Sequence, residues 1–345
     1  MKKALSLILA AVLLILPLSS MAATETITVY NWGDYIDPDV LDQFEAETGI
    51  RVIYETFETN EDMYTKLSKA KASYDVICPS DYMVERMIRE KLVQPINWEN
   101  IPNAVQIQDR FRNLSYDPDN AYSMPYTWGT MGILYNKTMV SEKPTSWKVL
   151  WDEQYADSIL MLNSSRDTIA ITLKALGYPL NSTDEAQLEE AKDALIEQSP
   201  MVLAYVVDEV KDKMIAGEAA IALVWSGDAT YCMSENEDLD YVIPEEGSNI
   251  FFDAFCIPAN AKNVSGAEKF LDYLCDPEIA KQNFEYVGYA IPNQGAIDLL
   301  GEEYLSSPVS NPPQELLDKC EIFEYLGEST RVYDSLWTEI ITSVW

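Results

Sequence analysis

Histidine is absent from the whole chain of 345 residues. This absence excludes Ser-His-Asp and Cys-His nucleophilic catalysis, together with every metal site that uses imidazole ligands. The chain also has no Gly-x-Ser-x-Gly nucleophile elbow, no phosphate-binding Gly-x-x-x-x-Gly-Lys loop and no dinucleotide-binding fingerprint. We therefore expect a protein that is not an enzyme and that holds neither a cofactor nor a metal ion.

Basic residues are scarce, because 24 lysines and arginines stand against 57 aspartates and glutamates, for a formal net charge of −33. A surface with this much negative charge repels nucleic acid, so nucleic acid is excluded as a partner. The same field concentrates cations near the protein and speeds their arrival. A strongly negative charge can also serve solubility alone. The charge therefore suggests a cationic ligand but leaves solubility open as the simpler explanation.

The cysteines are odd in number and too widely spaced for a disulfide framework or a zinc motif. They are Cys78, Cys232, Cys256, Cys275 and Cys320. Each lies among apolar neighbours, so we expect five small, buried hydrophobic residues. One or two bridges remain compatible with an oxidising compartment.

Long apolar runs are missing except at the N terminus, where two lysines precede the apolar residues 4–16. This pattern predicts a signal peptide over residues 1–23, cleaved near Ala22 or Ala23. No cysteine stands at the cleavage point, so a lipid anchor is not expected. No later segment reaches eighteen apolar residues, and we expect an exported, soluble, periplasmic protein.

Apolar periodicity along the rest of the chain predicts alternating strands and helices in two sets. The first set has strands over residues 26–32, 51–57, 74–78 and 131–135, and helices over 38–48, 60–70 (with Asn60 as a plausible cap) and 81–90. The second set has strands over 158–162, 201–207, 219–225 and 250–257, and helices over 167–176 and 184–198, before a mainly helical region that closes with a helix over 330–344. The alternation predicts an α/β fold with mostly parallel sheets. The chain is long enough for two domains.

Aromatic residues stand next to carboxylates at four places, three of them where a predicted strand ends. The segments are residues 31–35, 80–82, 225–228 and 251–253. In α/β sheets, ligands bind beyond the carboxyl ends of the strands. Aromatic faces contact methylene groups and attract ammonium groups, while carboxylates accept charge-assisted hydrogen bonds from each ammonium. A linear polyamine needs both, although each residue taken alone is more easily explained by packing or solvation.

Five segments resemble the spermidine/putrescine-binding proteins of polyamine ABC transporters. They are residues 29–36 (VYNWGDYI), 74–82 (YDVICPSDY), 125–129 (PYTWG), 257–263 (IPANAKN) and 287–293 (VGYAIPN). The resemblance implies a two-lobed periplasmic-binding-protein fold of type II, in which each lobe has a central sheet flanked by helices and the ligand lies in the interlobe cleft. It places residues 24–130 plus 257–305 in one lobe and residues 131–256 plus 306–345 in the other. It also implies a monomer that delivers its polyamine to a membrane permease.

The same resemblance implies which residues line the ligand site. They are Trp32, Asp34, Tyr35, Ser80, Asp81, Tyr82, Asp167, Trp225, Asp228, Phe251, Asp253 and Tyr289. Asp253 would bind an amine, Trp225 would stack on the methylene chain, and Phe251 stands where putrescine binders tend to have phenylalanine. Two positions depart from the spermidine pattern, because Ser164 replaces an acid and Phe323 replaces a glutamine. A shorter diamine is therefore a real alternative to spermidine.

Two other functions are compatible with these residues. A solute-binding protein for another cationic or amide ligand would use the same aromatic residues, and a secreted glycosidase needs only a pair of carboxylates. No such pair stands out from the acidic background of the sequence. A buried, unpaired carboxylate is costly and implies a cationic partner, whereas a neutral sugar does not require one. The residues therefore favour capture of spermidine or putrescine.

The N-terminal pattern makes a prediction about processing. The mature protein should lack residues 1–22 or 1–23, because signal peptidase reads the small residues that follow the apolar run. Intact-mass measurement on protein from an envelope fraction tests this. A mass that still includes Met1 would contradict it.

Overall fold

A computed structural model describes residues 25–70 and 72–344. Within these ranges the chain forms ten strands, thirteen α-helices and seven short 3-10 helices. The strands are β1 (Thr26–Trp32), β2 (Arg51–Phe57), β3 (Val76–Ile77), β4 (Val93–Gln94), β5 (Ser123–Asn136), β6 (Ile159–Leu162), β7 (Val202–Val206), β8 (Ile221–Trp225), β9 (Leu239–Val242) and β10 (Ile250–Pro258). The predicted signal peptide lies outside the described residues.

The helices alternate with strands in the first two thirds of the chain and follow one another in the last third. They are α1 (Pro38–Thr48), α2 (Asn60–Ser68), α3 (Asp81–Arg89), α4 (Ser165–Ala175), α5 (Glu185–Gln198), α6 (Glu209–Ile215), α7 (Ser226–Glu235), α8 (Val264–Leu274), α9 (Pro277–Val287), α10 (Gln294–Leu300), α11 (Glu302–Ser306), α12 (Gln314–Leu317) and α13 (Thr330–Val344). The 3-10 helices span Trp98–Asn100, Pro102–Gln106, Asp109–Phe111, Trp147–Trp151, Glu153–Tyr155, Ser199–Met201 and Gly327–Ser329. No helix in the described part of the chain is long and apolar enough to cross a membrane.

All ten strands belong to one continuous mixed sheet, in the order β2-β1-β3-β10-β5-β8-β6-β7, with β4 paired to β10 and β9 paired to β5. β1 and β6 pair in parallel with both of their neighbours. β5 and β10 pair antiparallel with all of theirs, so the expected mostly parallel arrangement is wrong at the centre of the sheet. β5 and β10 lie between the two groups of parallel strands and connect the two α/β sets, and the strand direction changes at these two strands.

Buried apolar side chains form three clusters that follow these two sets. The first contains residues from 27–128 and 251–304, the second from 131–223 and 323–340, and the third from 134–243 together with Val309. Along β5 the cluster changes between Trp128 and Met131. All 14 residues of β5 are buried, so this strand connects the two halves of the molecule through their cores. The division into lobes at the predicted boundaries stays a prediction.

Several predicted elements are confirmed with their bounds, among them β1, α1, β2 and α13. The predicted cap of α2 is wrong, because Thr59 is the N-cap and its hydroxyl accepts a hydrogen bond from the amide of Asp62 at 3.1 Å. Asn60 is the first helical residue and its side chain bonds elsewhere. The strand predicted over residues 131–135 is the second half of the longer β5.

All five cysteines are free, four of them buried and Cys320 half-buried. The Cys275 thiol lies 3.3 Å from the sulfur of Met124, inside the first cluster. Burial raises the pKa of Cys275, with an additional contribution from Asp272. The four buried thiols therefore behave as apolar side chains, as the sequence predicts, whereas the expected burial is wrong for Cys320.

Candidate functional site

A cavity lies between the first apolar cluster and the other two. The unfilled space inside it, including its open mouth, is about 910 Å³. Six strands that run in parallel pairs point their carboxyl ends toward it: β1, β2, β3, β6, β7 and β8. The residues that follow each of these strands supply most of the lining. This placement agrees with the rule that ligands bind beyond the carboxyl ends of α/β strands.

Eleven of the twelve predicted site residues line this cavity. They are Trp32, Asp34, Tyr35, Ser80, Tyr82, Asp167, Trp225, Asp228, Phe251, Asp253 and Tyr289. Asp81 does not line it, although it lies between two residues that do. Its carboxylate is fully buried and accepts hydrogen bonds from the amides of Tyr82 at 2.7 Å and Phe252 at 3.2 Å. Because α3 begins at Asp81, the side chain turns inward and ties the helix to β10.

The Asp253 carboxylate lies on β10 and is 4% exposed. The pairing register of β10 with β5 shifts between Asp253 and Ala254, as in a β-bulge, a device that re-aims a side chain. One carboxylate oxygen accepts a hydrogen bond from the Tyr35 hydroxyl, and that hydroxyl also lies 2.8 Å from the Thr127 hydroxyl. The other oxygen, Oδ1, has no hydrogen-bond partner among the described residues. A buried carboxylate oxygen without a partner is a place for an external donor.

Burial raises the pKa of Asp253 to about 6, against the lowering effects of the hydrogen bond from Tyr35 and of the nearby Ser80 hydroxyl. The charge of Asp167 raises it further. Asp228 has the same elevation, to about 6, and burial is again the largest cause. Both groups are ionised at neutral pH at a cost in free energy that a bound cation would offset.

Trp225 ends β8 and holds its indole over one side of the cavity. Its Nε1 donates to Asp167 Oδ1 at 3.4 Å. Asp167 lies in the first turn of α4, where the helix dipole favours a negative charge. The N-cap residue Ser164 accepts a bond from the amide of Asp167 at 3.4 Å and donates to its carboxylate at 2.5 Å. Ser164 stands where the resemblance implies an acid, and its hydrogen bonds position the carboxylate of Asp167.

Glu61 lines the same part of the cavity and was not predicted. Its carboxylate accepts a hydrogen bond from the Tyr82 hydroxyl at 3.0 Å, and Asn60 donates to that hydroxyl at 3.1 Å. Burial raises the pKa of Glu61, and the charge of Asp167 contributes to the rise. Glu61 and Asp167 are therefore close enough to interact. This part of the cavity contains two acids, whereas the sequence predicted only Asp167 there.

Aromatic rings line the cavity between these acids in edge-to-face contact. The ring centroids of Tyr35 and Tyr289 are 5.0 Å apart, and those of Phe251 and Tyr289 are 6.1 Å apart. Trp32 lies 6.5 Å from Tyr35. The Tyr289 ring is close against the backbone of α7, since a Cβ at Gly227 would lie 2.0 Å from it. These contacts fix the ring planes without filling the cavity.

Most of the lining residues that the sequence did not single out share one position in the fold, and Asn249, which precedes β10, is an exception. They follow the carboxyl ends of β2, β6 and β7 or begin the next helix: Glu58, Thr59, Asn60, Glu61, Asn163, Val207, Asp208 and Lys211. β2 ends in an aromatic residue beside an acid, Phe57 and Glu58, so the same aromatic–acid pattern marks this strand end, whereas β7 is followed by Val207 and Asp208 without an aromatic residue. Predicting every strand end as part of the site would have found them. No group of three or more acids or cysteines in the described chain is placed to hold a metal ion.

Comparison with known proteins decides the family. The family of bacterial extracellular solute-binding proteins matches residues 39–313. A spermidine/putrescine-binding periplasmic protein of Salmonella typhimurium is 36% identical over 344 residues, which are 99% of each chain. The chain belongs to the bacterial extracellular solute-binding proteins.

Solved structures agree with this assignment. A chain from Listeria monocytogenes is 44% identical, with a TM-score of 0.89 over 92% of this chain and 99% of its own length. The substrate-binding protein of a spermidine/putrescine ABC transporter from Streptococcus pneumoniae is 42% identical, with a TM-score of 0.79 over 93% and 100% of the two chains. The α/β fold of this solute-binding protein is that of the periplasmic binding proteins, as predicted.

The raised pKa of Asp253 makes a prediction about the ligand-free protein. At pH 7.5 the folded state holds a charged, buried carboxylate that the unfolded chain would solvate, so Asp253→Asn should raise the free energy of unfolding by about 1–3 kcal/mol. As the pH falls through about 6, the folded wild type takes up a proton before the unfolded chain does. The advantage of the variant should therefore shrink by pH 5. Urea unfolding at both pH values measures it.

Asp117→Asn is the matched control for this measurement. Asp117 is a buried carboxylate whose oxygens accept from the amides of Ala121, Tyr122 and Ser123 and from the Ser123 hydroxyl. An amide in its place cannot accept all of these bonds, so this variant should be less stable at both pH values. If Asp253→Asn loses stability in the same way, Asp253 has a structural role instead.

Proposed function

We propose that this protein captures a polyamine, spermidine or putrescine, outside the cytoplasm and delivers it to the permease of an ABC transporter. One observation carries the proposal. The buried Asp253 carboxylate has an oxygen without a partner among the described residues, and it lies in a cavity walled by aromatic rings. An ammonium group would supply the missing donor and neutralise the charge.

The rest of the lining supports a linear, multiply charged cation. Seven carboxylates line the cavity, from Asp34, Glu58, Glu61, Asp167, Asp208, Asp228 and Asp253, and Lys211 is the single cationic side chain among the described lining residues. Between the acids lie aromatic faces that can contact methylene groups. A compact cation would use the acids and leave these faces uncovered, whereas a polyamine would use both.

The relatives support the location and the partner. The curated relative is a periplasmic protein, and the Streptococcus pneumoniae structure is the substrate-binding component of an ABC transporter. We therefore assign this chain to the periplasm, and we propose in addition that residues 1–23 are removed and that the mature protein is a monomer. The net charge of −33 argues against a nucleic-acid partner.

Both polyamines fit the acids that the cavity contains. Ser164 removes one acid of the spermidine pattern, but Glu61 brings another carboxylate to the same part of the cavity. Phe323, which replaces a glutamine, packs edge-on against Tyr82 with ring centroids 6.1 Å apart and offers no hydrogen bond. A ligand ammonium at this end would thus be held by Glu61 and Asp167.

The protein acts as a carrier without catalysis in this proposal. The relatives described above are solute-binding proteins, and they give no support to the alternative of a glycosidase. Incubation with aryl glycosides separates the two functions. Saturable polyamine binding without glycoside turnover supports the carrier, and turnover would support the enzyme.

The role of Asp253 can be tested by its amide variant. Asp253→Asn keeps the size of the side chain but removes the charge that offsets a desolvated ammonium, so every polyamine should lose about 2–5 kcal/mol of binding free energy. Isothermal calorimetry with putrescine, cadaverine, spermidine and spermine measures the loss. Asp81→Asn is the matched control, because Asp81 is equally buried but does not line the cavity. Putrescine affinity of Asp253→Asn within about threefold of wild type, under about 0.7 kcal/mol, would refute the assignment of Asp253 as the anchor.

The role of Trp225 should depend on the length of the ligand. Trp225→Ala removes apolar contact and cation–π attraction along the methylene chain, so the loss of affinity should be greater for spermine than for putrescine. Trp98→Ala is the control, because Trp98 is also half-buried against the first cluster but lies outside the cavity. Equal losses for the short and the long ligand would show that Trp225 supports the fold or holds Asp167 and does not stack on the ligand.

A further inference from the structure

Lys211 places a positive charge inside a cavity whose other charged side chains, among the described residues, are all carboxylates. It lies on α6, and its Nζ is 3.0 Å from Asp34 Oδ2, which follows β1 on the opposite side of the cavity. The Lys211 side chain is 15% exposed, whereas that of Asp34 is 65% exposed. The ion pair therefore lies at the mouth of the cavity with its cation turned inward.

Three carboxylates surround this ammonium: Asp34, Asp208 and Asp228. Burial lowers the pKa of Lys211, but attraction to Asp228, the hydrogen bond to Asp34 and the charge of Asp208 together raise it above its ordinary value. Lys211 is therefore protonated at neutral pH. In return, its charge lowers the pKa of Asp228 against the effect of burial. At this end of the cavity, the Lys211 ammonium therefore offsets part of the negative charge of the three carboxylates.

Among the described residues, no other acid of the cavity forms an ion pair with a lysine or an arginine. The groups that affect the pKa of Asp253 are Tyr35, Ser80 and Asp167, and none of them is a cation. Glu61 interacts with Tyr82 and Asp167. The charge of Arg166 acts to lower the pKa of Asp167, which burial raises, but the Arg166 guanidinium makes no ion pair with it, because it stacks on the Phe323 ring at 4.2 Å and donates to the carbonyl of Leu180. These acids are left for the amines of a ligand.

We propose that Lys211 is a specificity-determining residue, which occupies the place of one ligand ammonium and so favours a diamine over a triamine. This inference rests on the proposed function. In this proposal a diamine would place its two ammonium groups at Asp253 and at the Glu61–Asp167 pair, away from Lys211. The third ammonium of a triamine would extend toward Asp228, where the charge of Lys211 repels it.

The test compares substitutions at two lysines of the same helix. Lys211→Met should raise the affinity for spermidine relative to putrescine at least tenfold, because it leaves three acids free for another ammonium. Lys211→Gln should act in the same direction, and it decides the test if the methionine variant does not fold. Lys211→Arg keeps the charge and should leave the ratio within threefold of wild type. Lys213→Met is the matched control, since Lys213 pairs with Glu218 at 2.9 Å and does not line the cavity.

Calorimetry with putrescine and spermidine gives the dissociation constants for wild type and all variants at one ionic strength, and melting temperatures of the ligand-free proteins check folding. An unchanged affinity ratio in Lys211→Met would overturn the inference. So would an equal loss for both ligands, which indicates that Lys211 only holds the two sides of the cavity together. An equal change in Lys213→Met would show a general effect of net charge and would also overturn it. Wild-type protein that binds no polyamine would instead refute the proposed function, and the role of Lys211 with it.

Discussion

The arrangement of the cavity depends on one constraint, which is that a carboxylate on a central strand is held out of water. Asp253 is buried on a central strand, and one of its oxygens has no partner in the described part of the chain. Leaving such a group uncompensated costs free energy, so the surroundings must hold it in place. The hydroxyls of Tyr35 and Ser80 do this by lowering a pKa that burial raises. These two hydroxyls stabilise the charge of Asp253 only in part, and a cation beside it would offset the remaining free-energy cost.

The fold meets this constraint by using the ends of its parallel strands and the beginnings of its helices. Asp167 and Asp228 lie in the first turns of α4 and α7, where the helix dipoles favour negative charge. The shift in register at Asp253 turns its side chain toward the same space. The antiparallel strands β5 and β10 then bind the two halves together, because β5 is buried along its entire length. Acids from separate segments are thereby held near one another despite their mutual repulsion.

Local sequence patterns predicted most of the elements, because strand alternation and helical periodicity report burial on one face. The bounds of β1, α1 and β2 follow from such patterns together with a proline and a glycine at the ends of α1. The patterns failed where neighbours in space decide the outcome. Thr59 and Asn60 are both good N-cap residues, and Thr59 takes this position while the Asn60 side chain donates to Ser80 and Tyr82. The direction of β10 likewise depends on pairing with β5, more than one hundred residues away along the chain.

The sequence by itself determined the kind of chemistry: without histidine and with acids beside aromatic residues at strand ends, it indicated binding of a cation. Only the tertiary structure decided which acids act together. Asp81 lies beside two cavity residues yet turns into the core, because the first turn of α3 directs it toward β10. Glu61 and Lys211 do not stand beside an aromatic residue at a strand end, and they enter the cavity because the carboxyl ends of β2 and β7 converge on it with those of the other parallel strands. Charge interactions act through space over a few ångströms, so their partners depend on strand order and not on position along the chain.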